Sequence, residues 1–227
     1  MAGVISSRFA DSHPLRLFPT LIWRAELADD VRTRVNASVL KTVGELRRSL
    51  PPLETGQGWQ SKQDLHERAP FTEFAACVNA TVAEALDFLR VGNEGARITA
   101  CWVNVLAPGR AHGAHSHPNN FLSGVYYVQT QDGADTINFH DPRIQTGVIR
   151  PPVTELTAEN TDQVVVKVKT GTLLIFPAWL QHSVDANESE KERISVSFNI
   201  MFSSYPERMS KPLWEGTNPA VRRAGNA

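Results

Sequence analysis

Seven histidines occur in the chain, and five of them, His112, His115, His117, His140 and His182, fall between residues 112 and 182. The tightest cluster lies in GRAHGAHSHPNN, where His115 and His117 stand two positions apart. On an extended chain such positions project to the same side, so two imidazoles could grip one metal ion. A second contributor stands in GTLLIFPAWLQHSV. Gly171 opens an apolar strand, Pro177 ends it, and His182 begins the next one. In a small closed sheet, neighbouring and facing strands bring distant sequence together, which would carry His182 to His115 and His117. The competing assignment for His182 is a core or rim histidine satisfied by a backbone carbonyl.

RISVSFNIMF adds a different chemistry. Ile194, Val196, Phe198, Ile200 and Phe202 share one face of the strand, while Arg193, Ser195, Ser197 and Asn199 share the other. Either the polar face meets water, or it turns into a ligand-holding interior where Arg193 needs an anion. A planar guanidinium with a hydroxyl two residues away suits a carboxylate, through two parallel hydrogen bonds and one more. Tyr127 in GVYYV and Asn104 in CWVNVL are candidates to bond such an acid or a substrate, with backbone satisfaction the equal alternative. Asp141 and Arg143 in HDPR read as a turn-fixing ion pair in preference to a substrate site. Trp102 and Trp179 read as barrel and rim packing.

The elements that must position these groups follow from periodicity. The spacing of Val31, Val35, Val39, Val43 and Leu46 predicts a helix from about 29 to 48, with Asp29 or Asp30 as its cap and Pro51-Pro52 as its stop. Phe74, Val78, Val82, Leu86 and Leu89 predict a second helix over about 72–90. Between them lies a polar connection with an exposed-looking Trp59. From residue 96 the texture becomes β-branched and aromatic, which predicts strands at about 97–106, 122–130, 135–140, 163–169, 172–177 and 193–202. Strands in succession without intervening helices imply an antiparallel sandwich or barrel with the helices packed outside. The expected organisation is a single domain: a helical part over 1–95, a β-barrel core over 96–205 and a polar tail over 206–227. The long connection after Pro142 reads as a candidate lid.

Composition narrows the function classes. With 227 residues, 23 Lys+Arg against 24 Asp+Glu, and 41% hydrophobic residues, the chain has neither a basic nucleic-acid footprint nor a disordered composition. Its two cysteines, Cys77 and Cys101, stand in unrelated surroundings, which argues against a disulfide scaffold or a Cys-based zinc site. No apolar run approaches membrane-spanning length, and the opening MAGVISSRFADSHPL is broken by charge. The expectation is a cytoplasmic protein, free of nucleic-acid and membrane partners, with a homodimer as one assembly state open to it.

HSHPNNFLSGVYYV, FHDPR, GTLLIFPAWLQHSV and RISVSFN together resemble the double-stranded β-helix (jelly-roll, cupin-like) of the iron(II)- and 2-oxoglutarate-dependent oxygenases, closest to a bacterial and phage-like group. FPTLIW and GWQSKQDL resemble that group's N-terminal part, so the likeness runs from about residue 17 to 205. It implies Fe(II) and 2-oxoglutarate as cofactors, O2 as co-substrate, and oxidation, most often hydroxylation, of a C–H bond in a small molecule or peptide. It further implies His115 as first metal ligand, His182 as distal ligand, Arg193 as anchor of the oxoacid's far carboxylate and Ser195 as its hydroxyl partner.

The departure is His117, which stands where the superfamily carries a carboxylate. Three neutral imidazoles leave a site one unit more positive than two imidazoles and a carboxylate, favouring an anionic co-ligand. Three arrangements are open: His117 is itself the third ligand, Asp141 or Asp135 on a neighbouring strand supplies a carboxylate, or only two protein ligands bind. His112 is expected at the rim. A runner-up, a cupin-type metal dioxygenase or metal-binding barrel without 2-oxoglutarate, fits Gly109-x5-His115-x-His117 and Gly171-x5-Pro177 followed by His182. That reading lacks the Glu expected soon after His-x-His and gives Arg193 and Ser195 no task.

Overall fold

The computed structural model describes residues 9–92, 95–143 and 148–204. Its elements are β1 (Trp23–Glu26), α1 (Asp29–Arg47), β2 (Gly58–Gln60), α2 (Thr72–Phe88), β3 (Ala96–Leu106), β4 (His112–His115), β5 (Leu122–Gln129), β6 (Thr136–His140), β7 (Gln163–Lys167), β8 (Thr172–Pro177), β9 (His182–Val184) and β10 (Arg193–Phe202). They form two antiparallel sheets, one ordered β1-β8-β5-β10-β3-β2 and the other β4-β9-β6-β7. This is the expected double-stranded β-helix with helices outside.

Two cores result from the two-residue alternation of the strands. On one side of the large sheet, Ile194, Val196, Phe198 and Ile200 of β10 meet Val35, Val39 and Val43 of α1 and Phe74, Val78, Val82 and Leu86 of α2. On the other side, Val125, Tyr127, Leu174 and Phe176 meet Ile137 and Phe139 of the small sheet. Gly124 is required by close approach: a Cβ there would stand 2.3 Å from Phe198 Cζ and 2.6 Å from the Leu174 carbonyl oxygen.

Some expectations change. The cap of α1 is Ala28, which makes no side-chain capping bond, while Asp29 and Asp30 lie inside the first turn. There they face the positive end of the helix dipole and pair with Arg32 and Arg34. Leu89 lies beyond the end of α2 and is 38% exposed. Trp59 is half-buried, with the Arg47 guanidinium 5.9 Å from its ring centroid. Strands β1, β2 and β4 were not expected as strands. The first two come from the N-terminal part and complete the edges of the large sheet, so that part is structurally continuous with the β-core. They are three or four residues long, too short to show alternation. Part of the connection expected as a lid, residues 144–147, lies outside the described residues, as does the expected tail over 206–227. No described helix is long and apolar enough to cross a membrane. Both cysteines are free thiols, with Cys101 buried.

Candidate active site

Antiparallel pairing of β4 with β9 sets His115 opposite His182. Beyond β4 the chain is held to the β8–β9 turn by the His117 N–H, which donates to the Ala178 carbonyl oxygen at 2.9 Å. Asn119, at φ 63°, then turns the chain towards β5. It is a residue that tolerates this left-handed conformation better than most. The three imidazoles converge as a result. Ring centroids are separated by 4.4 Å for His115–His182 and by 5.2 Å for both pairs involving His117. One ligand atom from each ring lies within 4.8 Å of the others.

The outer bonds prepare two of these rings for a metal. His115 Nδ1 lies 2.8 Å from the Gly113 carbonyl oxygen, and His182 Nδ1 lies 3.0 Å from that of Leu180. A carbonyl oxygen can only accept, so each Nδ1 carries the proton and each Nε2 presents its lone pair. Burial, with Phe176 packed 4.7 Å from the His182 ring, drives the His182 pKa down to about 4, and the neighbouring histidines add to the shift. His117 is likewise driven to about 4 by burial and then by His115. Both are neutral at pH 7, the form that binds metal.

The same cavity reaches β10. Arg193 is 4% exposed, its guanidinium lies over the Tyr127 ring at 5.1 Å, and no described carboxylate is within ion-pair distance. Arg193 Nε and the Tyr127 hydroxyl are both buried without a hydrogen-bond partner among the described residues. Burial also holds the Tyr127 hydroxyl protonated, its pKa raised to about 12. Ser195 lines the cavity next to them, opposite Tyr127 on one side and Asn104 on the other. A cation, an O–H and a second hydroxyl turned towards one space form a receptor for an anion.

Of the other residues singled out in the sequence, Asn104 is engaged on both sides: it accepts from Gln60 Nε2 at 2.8 Å, and its Nδ2 donates to Ser197 Oγ at 2.9 Å. Asp141 is gripped by Arg143 at 2.6 Å, which lowers its pKa, and Asp135 faces Lys167 at 3.3 Å. Neither joins the histidine group, whereas His117 does. His112 lies half-buried on the cavity wall, and burial, followed by the charge of its neighbours, lowers its pKa. Trp179 is 57% exposed. Ser197 lines the cavity from the polar face of β10 that the sequence offered as a ligand-holding interior, whereas Gln60 and the place of Trp102 on the cavity wall were missed. The inward alternation of β3 could have indicated Trp102. For Gln60, in a three-residue strand, no signal existed.

Residues 100–199 match the family model described as "Putative 2OG-Fe(II) oxygenase". Over those residues the chain is similar to the 2-oxoglutarate-dependent non-haem iron oxygenases that the family model describes. No curated protein matches the sequence. Solved structures share the fold. The prolyl-4-hydroxylase of Pseudomonas putida aligns with a TM-score of 0.56 and 14% identity over 81% of this chain and 93% of that one. HygX from Streptomyces hygroscopicus, with nickel and 2-oxoglutarate bound, aligns with a TM-score of 0.57 and 12% identity over 89% and 90%. SnoN, a non-haem alpha-ketoglutarate-dependent epimerase from nogalamycin biosynthesis, gives 0.57 and 14% over 87% of each chain.

Proposed function

We propose that this chain is an Fe(II)- and 2-oxoglutarate-dependent dioxygenase that hydroxylates a C–H bond of a small molecule or peptide, with O2 as co-substrate. The observation that carries the reading is Arg193: a buried guanidinium without a counter-ion among the described residues, opening on the cavity that holds the three histidines. Burying an unpaired cation is costly enough that folds keep one where a ligand supplies the anion.

The donor set fits both cofactors. His115, His117 and His182 would hold the metal, with the outer nitrogens of His115 and His182 already bonded to backbone carbonyls. Arg193, Ser195 and Tyr127 would hold the distal carboxylate of the oxoacid. Iron with 2-oxoglutarate, when bound, supplies the oxidative decarboxylation that activates O2 for insertion into a C–H bond. The chain's task is to orient the reactants and exclude water. Val125, Ile137, Phe176 and Val184 are among the apolar residues of the cavity wall, and among the described residues no Asp or Glu lines it. Three neutral imidazoles leave the charge of a divalent metal uncompensated by protein, so an anionic co-ligand is favoured.

The experiment is an anaerobic titration with Fe(II) and then 2-oxoglutarate, following the visible metal-to-ligand charge-transfer band. The band should form in the wild type and vanish in Arg193→Ala at matched oxoacid concentration, with iron still bound. Iron binding without a band in the wild type would refute the proposal and favour a cupin-type metal site that does not use 2-oxoglutarate.

A further inference from the structure

The indole of Trp102 is an unused hydrogen-bond donor on the wall of the histidine cavity. Trp102 is 6% exposed, and its Nε1–H meets no acceptor among the described residues. The ring stands 6.0 Å from that of His117, tilted by 41°. An indole N–H can only donate, and a buried donor facing a cavity needs an acceptor, which a ligand held there can supply.

The register of the central strands identifies which acceptor. Across β3 and β10, Leu106 stands opposite Arg193, Asn104 opposite Ser195, and Trp102 opposite Ser197. These rungs are two residues apart, about 6.6 Å along the strand. The Arg193 guanidinium reaches forward over Tyr127, which shares the rung of Ser195. The cation therefore sits near the middle rung, with Trp102 one rung further towards His117. An extended five-carbon diacid, with carboxyl carbons about 5 Å apart from four bonds of ~1.5 Å, spans that interval with a hydrogen bond at each end.

We propose that the Trp102 indole N–H donates to the metal-end carboxylate of the bound oxoacid, opposite the end held by Arg193. This inference rests on the reading of the cavity as a 2-oxoglutarate site. Trp102 would then fix which way the acid lies on the metal.

The test uses 15N-labelled protein with Zn(II) in place of iron, so that no turnover occurs. The chain has five tryptophans, and Trp102→Phe assigns the Trp102 indole signal by its loss. Adding 2-oxoglutarate should move that signal downfield in the wild type. In Trp102→Phe, the Kd of 2-oxoglutarate should rise about 10-fold or more, as for loss of a hydrogen bond to a charged group, while Zn(II) affinity stays within about 2-fold, since His115, His117 and His182 are untouched. A stationary indole signal, or an unchanged Kd in the variant, overturns the role of Trp102 while the wild type still binds the oxoacid. Failure of the zinc-loaded wild type to bind 2-oxoglutarate would overturn the site reading itself, and this inference with it.

Discussion

Replacing Arg193 by Met should stabilise the protein without ligand and remove most of the stabilisation that ligand adds, a pair of changes that separates a binding cation from a structural one. Arg193 is 4% exposed, has no described carboxylate in range and leaves Nε unbonded among the described residues. An unmade buried hydrogen bond costs about 1–3 kcal/mol, and desolvating the charge adds several more. The Tyr127 ring at 5.1 Å returns about 2 kcal/mol at most. Methionine fills similar space with no charge, so a net gain of about 1–3 kcal/mol is expected, or roughly 2–10 °C in Tm for a chain of this size. With a non-turnover metal and 2-oxoglutarate at 100 times the wild-type Kd, the wild type gains about 2.7 kcal/mol. Losing two charge-assisted bonds raises the variant's Kd about 100-fold, which leaves it a gain of only about 0.4 kcal/mol from the same linkage. Scanning calorimetry of both proteins, metal-loaded with and without 2-oxoglutarate, reads both differences. A destabilised variant without ligand, or an equal ligand-induced shift in both proteins, would refute the argument.

Three other outcomes follow from the geometry. His182→Ala removes the buried member of the histidine group, and calorimetric titration with Fe(II) or Co(II) should show affinity falling ~100-fold or more, beyond the 10- to 100-fold typical of losing an outer partner. Lowering the pH from about 6.5 to 4 should destabilise the metal-free protein: His117 and His182, held near 4 in the fold, stay neutral while the unfolded chain takes up protons, so stability rises with pH across that window. Urea midpoints measured at intervals from pH 4 to 7.5 check this, and a flat profile would contradict it. Gly124→Ala forces a Cβ against Phe198 and the Leu174 carbonyl and should cost about 1–3 kcal/mol or more in chemical denaturation.

What the sequence disclosed depended on whether a residue's task left a periodic or chemical mark. The stripes of α1 and α2 were legible because each buries one face, and the burial pattern repeats the sequence pattern; the alternation of β10 was legible from residue type, since both of its faces are buried, one in the core and one at the cavity. His115 was legible from its place in a tight histidine cluster, and His182 because it follows the apolar strand that Gly171 opens and Pro177 ends. The choice between His117 and the nearby acids was not legible. It depends on Asp141 being held by Arg143, on Asp135 facing Lys167, and on the backbone bond that ties His117 to Ala178. Gln60 was invisible for a similar reason: its place opposite Asn104 is set by the pairing of β2 with β3, a long-range contact between a three-residue strand and a strand more than forty positions away.

The site and the hydrophobic core share one strand, and this couples them. β10 pairs with β3 on one side and β5 on the other, and its alternate residues serve the helix-facing core and the cavity. Side chains on a strand repeat every two residues, so a slip of one would send Arg193, Ser195 and Ser197 into the apolar layer and Val196 and Phe198 into the cavity. Phe198 makes such a slip costly, because it fills the space left open by Gly124 and stacks edge-on against Phe74 at 6.0 Å. The uncompensated cation is therefore kept in place by apolar packing on the opposite face of its own strand. Burial of Phe198, Val196 and Ile200 supplies the energy that a buried, unpaired guanidinium consumes.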